Sequence, residues 1–354
     1  MQKIDLTDYG FIPTQLPAES DGEIPARITA VHKERYEIVC EYGTSYARLK
    51  SSIYYIEYPL EEYPTTGDFV LIQHNPIGDS VITKTLNRKS YFSRHDPWNK
   101  RGEQAVAANF DYVFIMASLN YDFKLKRIER YLAQSWQSGA VPVVILTKAD
   151  LVDDFTEQVK AVEKTAIGVG VYVVSAVTGY GIDMLSDYVK PRKTIVLLGS
   201  SGVGKSSLVN ALAGEEIMDV KEIREDDSKG RHTTTHRQMI MLGGGTMIID
   251  TPGMRELGVW DAEDGLDETF SDVEIYFGKC KFNDCAHGNE PGCAVKAAIA
   301  SGELSAQRWE NYNVLKKEMS YAEDKFKYMK QKQEWHKSIA KWSKQNKKNG
   351  KIKK

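Results

Sequence analysis

The sequence predicts a multidomain protein: a small N-terminal β-barrel, a central α/β domain built on a mainly parallel sheet, and a small C-terminal metal-binding domain with helices. Three observations lead there. Between Gly22 and about Phe92, short alternating runs are broken by Gly, Pro and Asp. From Asn109, strand-like and helix-like stretches take turns. Near the end, Cys280, Cys285 and Cys293 crowd around His287, while the fourth cysteine, Cys40, stands alone. A chain of 354 residues, 42% hydrophobic and 27% charged, is long for one core and suits two or three. The expected division is 1–95, 96–262 and 263–354.

In the first part the runs "ARITAVHKERYEIVC", "TSYARL", "GDFVLIQ" and "DSVITKTL" are short strands separated by turns. Five strands of this size suit an OB-fold, a barrel that binds oligonucleotides on one face. The closing "NRKSYFSRH" interleaves basic and aromatic residues as such binding requires, although aromatic residues also fill barrel cores. Cys40 reads as a small strand hydrophobe.

In the second part "DYVFIMASL", "VPVVILTKAD", "VYVVSA" and "KTIVLLG" are buried strands, and "KLKRIERYLAQSWQSG", "TEQVKAVEKTAIG" and "GIDMLSDYV" are helices between them. "RQMIMLGGGTMIIDTPG" reads instead as an antiparallel hairpin at the edge of the sheet.

"GSSGVGKSS" follows one of those strands and opens an amphipathic run. Gly199, Gly204, Lys205 and Ser206 fit the phosphate-loop pattern GxxxxGK[ST]. Backbone amides of Gly199, Ser200, Ser201, Gly202, Val203, Gly204 and Ser207 can surround phosphate oxygens. Lys205 reaches the β and γ phosphates, and Ser206 ligates Mg²⁺. "DTPG" ends the strand "TMIID", where Asp250 can hold Mg²⁺ through water and the Gly253 amide can meet the γ-phosphate. Between these motifs lies "EDDSKGRHTTTHRQ", whose Thr233, Thr234 and Thr235 can close over metal and phosphate; Thr234 is taken as the Mg²⁺ ligand.

"TKAD" ends another strand. A carboxylate at Asp150 accepts from N1–H and the 2-amino group of guanine, which adenine cannot offer. Lys148 lays its stem along the base, with Thr147 and Ala149 beside it. Ser175 and Ala176, ending the next strand, add a backbone contact to the base oxygen. Thr147 stands where the commonest form of this motif has asparagine, so an amide that would bridge base and phosphate loop is lost.

These are the five motifs of a GTPase G domain, with the base-reading pair placed before the phosphate loop instead of after it. The chain resembles the RsgA family (also called YjeQ or YloQ), circularly permuted GTPases dependent on the small ribosomal subunit. Permutation is tolerated because the ends of such a domain lie close together. The resemblance implies an OB-fold before the G domain and a zinc-binding domain after it. It implies GTP and GDP as ligands, the 30S subunit and its 16S rRNA as partners, and late small-subunit maturation as the process. It also places His232 in the first switch loop, which with Lys205 and Thr234 gives the catalytic set; packing or RNA contact is the plainer role for that histidine. Met254 occupies the position of a water-orienting glutamine in Ras-like enzymes, so hydrolysis should be slow alone and stimulated by 30S subunits. The rival is a nucleotide-gated rRNA-binding assembly factor in which hydrolysis is incidental. An ATPase is opposed by Asp150 and by the motif order.

Cys280, Cys285, His287 and Cys293 form CxxxxCxHxxxxxC. Three thiolates and an imidazole fill a tetrahedral Zn²⁺ shell, so this metal is structural. Beyond it, twelve lysines from Lys325 onward against one acid, Glu334, give that end +11 and leave −13 for the rest of a chain whose net charge is −2. Such a tail suits either a polyanion or plain solubility. The acidic start "MQKIDLTDYGF" has no apolar core, and "VPVVIL" is far too short for a bilayer. A cytoplasmic monomer with no membrane partner is expected.

Overall fold

The computed structural model describes residues 3–16, 22–32, 35–50, 63–95, 103–120, 123–219, 237–250, 263–288 and 290–320. His232, Thr233, Thr234, Thr235, Gly253, Met254 and the lysine-rich tail lie outside these residues. The chain divides into two compact units, Met1–Gly258 and Val259–Lys354.

The first unit begins with five strands: β1 (Ile24–Val31), β2 (Tyr36–Cys40), β3 (Gly43–Leu49), β4 (Phe69–Gln73) and β5 (Ser80–Thr85). β1 pairs antiparallel with both β2 and β4, and β3 pairs parallel with β5, so the ring closes in the order 1-2-3-5-4. One parallel pair in an otherwise antiparallel five-stranded ring is the OB-fold arrangement. Alternate residues fill it: Ala26 and Ile28, Ile38 and Cys40, Ala47 and Leu49, Val70 and Ile72, Ile82. Cys40 is a fully buried member of that core.

"NRKSYFSRH" leaves the barrel. Its strand β6 (Tyr91–His95) pairs, among the described residues, with β7 (Glu103–Ala108) as a separate two-stranded ribbon. Arg88 makes a two-bond fork to the buried Asp68, at 2.8 Å each, and Phe92 stacks on Phe110 at 4.8 Å. Those two side chains are consumed by structure, whereas Tyr91 of the same run is exposed.

The central sheet follows the order β10 (Gly170–Val173), β9 (Val141–Thr147), β8 (Tyr112–Ser118), β11 (Thr194–Gly199), β13 (Met247–Asp250), β12 (Arg237–Met241). All pairs are parallel except β12–β13. Both faces are apolar, as covered parallel strands require. Val113, Ile115, Val144, Leu146, Val196 and Leu198 meet helices α1 (Leu125–Gln137) and α2 (Thr156–Thr165) on one face. Phe114, Met116, Val143, Ile145, Ile195 and Leu197 meet α3 (Lys205–Ala213) on the other.

Two expectations change. "GIDMLSDYV" forms only the 3-10 turn Asp183–Leu185. The segment is too short to repay helix nucleation, and Leu185, Ile182, Tyr188 and Val189 reach the core without it. The hairpin β12–β13 is not at an edge, because β12 pairs with β1 of the barrel at Ala30↔Gln238 and Val31↔Arg237. A register shift between Ile28 and Ala30 bends β1 between its partners. Eleven strands thus form one continuous sheet, and the groups that β12 would expose at an edge are paired with β1.

Two residues hold this junction. Gly67 has φ +94°, and a Cβ there would meet Ala108 O at 2.0 Å, so barrel and sheet approach through a position only glycine can take. Arg27, 1% exposed, donates to Gly67 O (3.2 Å), Asn109 O (3.0 Å), Thr194 Oγ1 (3.0 Å) and Tyr9 O. Burial pushes its pKa down to about 10, so it is still charged at neutral pH.

The second unit comprises α4 (Glu263–Thr269), α5 (Ser271–Glu274), α6 (Ala294–Ser301) and a helix α7 over 306–320. Leu266, Phe270, Val273, Val295, Leu304, Tyr312 and Leu315 form its core. Arg308 forks onto Asp272 with its guanidinium 4.1 Å above the Phe270 ring. Among the described residues, no helix is long and apolar enough to cross a membrane.

Candidate nucleotide site and metal cluster

The motif-bearing loops all leave one edge of the parallel sheet. Register places Ser118 beside Thr147 and Met116 beside Gly199, with Val196 beside Ile249. Hence "TKAD" after β9, "SA" after β10, the phosphate loop after β11 and Asp250 closing β13 share the carboxyl end, where open α/β sheets bind ligands.

The phosphate loop runs from the end of β11 into α3. Gly204 takes φ +101°, which lets the chain turn into the helix with its first amides pointing outward. Lys205 Nζ donates to Gly199 O (2.9 Å) and Ser200 O (2.8 Å), so the ammonium is held across the loop. Val203 is buried under it, packed with Leu208 and Val209. Ser206 lies in the first turn of α3 and Asp250 ends the strand adjoining β11, so both sit where a phosphate-bound Mg²⁺ could be held.

The residues expected to read a base meet across β9 and β10. Ser175, fully buried, donates from Oγ to Asp150 Oδ1 at 2.5 Å, and its Oγ accepts from the Thr178 amide at 3.2 Å. The Asp150 carboxylate is therefore oriented yet still exposed to a ligand. Lys148 sits in the left-handed region at φ +62°, a strained backbone of the kind concentrated at binding loops. Sequence reasoning gave Ser175 a backbone role and missed this side-chain role. No sequence spacing joins 150 to 175; the β9–β10 pairing does.

Thr147 keeps one half of the bridge that an asparagine would make. Its buried hydroxyl donates to Val203 O in the phosphate loop at 2.6 Å, with Ala117 O at 3.4 Å. The contact to the phosphate loop is thus made by the hydroxyl. Thr147→Val, which keeps the shape and removes the donor, should weaken GDP affinity by about three- to thirtyfold through a looser loop and an orphaned carbonyl. Unchanged affinity by isothermal titration would show that the link carries no binding energy.

In the second unit Cys280, Cys285, His287 and Cys293 converge with all four ligand atoms within 4.8 Å of one another. His287 Nδ1 lies 3.4, 3.7 and 3.5 Å from the sulfurs of Cys280, Cys285 and Cys293. A tetrahedron with Zn–S and Zn–N bonds of usual length has an N···S edge of about 3.5 Å, so the donor set and its spacing fit that ion. The Ala294 amide donates to Cys280 Sγ at 3.3 Å and leads the lowering of that thiol's pKa, which favours the thiolate a metal needs. Phe277 stacks on His287 at 4.6 Å, and Trp309 meets it edge-on at 5.8 Å, fixing the imidazole plane.

Comparison with known proteins agrees with this geometry. A family model described as RsgA GTPase matches residues 85–260. An ABC transporter model matches 182–352, overlapping the first across the phosphate loop, which both kinds of nucleotide-binding domain contain. The chain is 49% identical over 295 residues, 83% of each chain, to small ribosomal subunit biogenesis GTPase RsgA 1 of Listeria innocua. It is 41% identical over 292 residues to the RsgA protein of Methanosarcina acetivorans, covering 82% of this chain and 79% of that one. Among solved structures, YjeQ from Thermotoga maritima aligns with a TM-score of 0.63 and 26% identity over 83% of this chain and 98% of its own. YloQ, described as a circularly permuted GTPase, aligns at 0.55 and 22% over 88% and 98%, a likeness of fold. With its barrel, "TKAD" and "SA" ahead of the phosphate loop, and Cys₃His cluster, the chain belongs to the RsgA family of GTPases.

Proposed function

We propose that this protein binds GTP·Mg²⁺, hydrolyses it to GDP and phosphate, and does so on the 30S ribosomal subunit during late small-subunit maturation. The observation that carries the reading is the linked pair of loops. Asp150, oriented by Ser175, faces the place of a base, and Thr147 ties that loop to the phosphate loop. Guanine binding and phosphate binding are thereby mechanically coupled. The relatives' names supply the process: they are small ribosomal subunit biogenesis GTPases.

In this reading Asp150 selects guanine, and Ala149, Ser175 and Ala176 frame the base. Loop amides from Gly199 to Ser207 hold the phosphates, and Lys205 swings from Gly199 O and Ser200 O onto the β and γ oxygens. Ser206, Asp250 and Thr234 would hold Mg²⁺, which neutralises charge on the phosphates. Gly253 meets the γ-phosphate, and His232 orients or deprotonates the attacking water. The working division is a barrel over 1–95, a G domain over 96–262 and a zinc domain with a basic tail over 263–354. The barrel, the zinc domain and the tail engage 16S rRNA, and the protein acts as a cytoplasmic monomer. Met254 favours one alternative, an assembly factor gated by bound nucleotide, because an apolar side chain cannot hold the water.

Co-sedimentation with 30S subunits tests the reading. Binding should be tighter with a non-hydrolysable GTP analogue than with GDP. Equal and weak sedimentation in both states would remove the ribosomal partner.

The metal is read as one structural Zn²⁺. Cys285→Ala should lose it and melt the aromatic-floored loop from Cys280 to Cys293, with GTP affinity preserved because no nucleotide motif lies in that unit. A full equivalent of zinc by metal analysis of the variant would contradict this shell.

A further inference from the structure

Asp250, read above as a Mg²⁺ ligand, closes β13, a strand of 4 residues. The parallel pairing of β13 with β11 covers Met247, Ile248 and Ile249 and stops one residue short of that carboxylate. Among the described residues, the strand residue in register with Asp250 is Gln238 of β12. Gln238 is in turn in register with Ala30 of the barrel. One row across three strands thus runs Ala30, Gln238, Asp250, from the barrel wall to the edge of the nucleotide site. Strand ends fray unless neighbours hold them, so what fixes β12 at Gln238 also fixes Asp250.

The barrel meets the β12–β13 hairpin at this end. Its register pairs, Ala30↔Gln238 and Val31↔Arg237, stand beside Asp250, and the register does not extend to Ile240 and Met241 near the hairpin turn. β1 is shaped to reach that place. Its first half, Ile24–Arg27, pairs with β4; past the register shift between Ile28 and Ala30, Ala30 and Val31 pair with β12. Thr29 sits in the shift, and its hydroxyl donates to Glu37 Oε1 on β2 at 3.1 Å, which holds the bend. A second grip lies at the start of β13, where Arg27 Nη1 donates to Met247 Sδ at 3.1 Å. β1 and β13 run in the same direction, since each is antiparallel to β12, and the barrel holds β13 at both of its ends.

We propose that β1 of the barrel braces the Mg²⁺ site: Thr29, Ala30 and Val31 are positioning residues that hold Asp250 in place through Gln238 and touch neither nucleotide nor metal. Mg²⁺ demands near-octahedral geometry and keeps several of its waters, so a carboxylate that acts through one of them must be fixed closely. Groups behind a metal ligand carry much of the affinity for that reason. The inference rests on the reading of Asp250 as a Mg²⁺ ligand.

The test uses the full chain, with a non-hydrolysable GTP analogue titrated in EDTA and across a series of Mg²⁺ concentrations. Val31 is the last residue of β1, so Val31→Pro disturbs the pairing with β12 and spares most of the barrel's ladder. It should raise the Mg²⁺ concentration for half-maximal tightening about tenfold and leave affinity in EDTA unchanged, while Val31→Ile, which keeps the amide, should match the parent. Thr29→Val, which loses the bond to Glu37 and keeps the branched shape, should shift the midpoint the same way by about threefold. Should Val31→Pro melt well below the parent, Thr29→Val decides. Folded variants with the parent's Mg²⁺ midpoint would overturn the brace, and so would a loss of affinity equal in Mg²⁺ and in EDTA, the sign of a site loosened in general. Asp250→Asn tests the premise. A parental midpoint in that variant would remove Asp250 from the metal and the brace with it; a raised midpoint there beside indifferent β1 variants would remove the brace alone.

Discussion

Asp150→Asn should lower GTP affinity at least about a hundredfold, since two charge-assisted hydrogen bonds to guanine are replaced by one neutral acceptor and a repelling amide. The variant should gain affinity for xanthosine triphosphate, whose base edge offers an acceptor where guanine has its 2-amino group. The fold should survive, because Asp150 is exposed and the Ser175 hydroxyl that bonds it can donate to the amide oxygen instead. Titration showing parental GTP affinity would remove Asp150 from base recognition.

The second large effect is structural. Arg27→Met should destabilise the first unit by about 2–4 kcal/mol, the balance between several orphaned acceptors and the relief of a buried charge. Tyr9 O, Asn109 O and Thr194 Oγ1 lose a donor, whereas Gly67 O keeps one from Asn109 Nδ2 at 3.2 Å. The melting temperature should fall on the order of 10 °C. A variant melting within about 1 °C of the parent would show that the junction does not depend on this side chain. Because Thr194 opens β11, the strand that ends in the phosphate loop, weaker nucleotide affinity should accompany the lost stability.

What could be read from the sequence was local. The phosphate loop, "TKAD" and the Cys₃His set are runs whose spacing states their chemistry, and "TIVLL" or "VPVVIL" can only be strands covered on both sides. Pairings between distant segments were hidden. Nothing in "RQMIM" announces that it will meet β1, since any edge strand offers the same unpaired groups. Arg27 breaks the alternation of its strand: Ala26 and Ile28 fill the barrel, and Arg27 faces outward but into the junction with the sheet. In an isolated barrel that position would be solvent. Thr147 lacks the amide that would bridge base and phosphate loop, yet its hydroxyl sits close enough to Val203 O to keep the contact with the loop. Arg88 and Phe92 misled in the opposite direction, since Asp68 and Phe110, which consume them, lie 20 and 18 residues away.

In the proposed function, a permuted G domain waits for the ribosome to complete its catalytic set. Single-turnover hydrolysis of GTP by the full chain, measured with and without 30S subunits, addresses it most directly. Turnover should be slow alone, accelerate about a hundredfold with 30S subunits through delivery of a proton-transfer or water-orienting group, and lose most of that acceleration in His232→Ala. A parent whose rate is the same with and without subunits would contradict it.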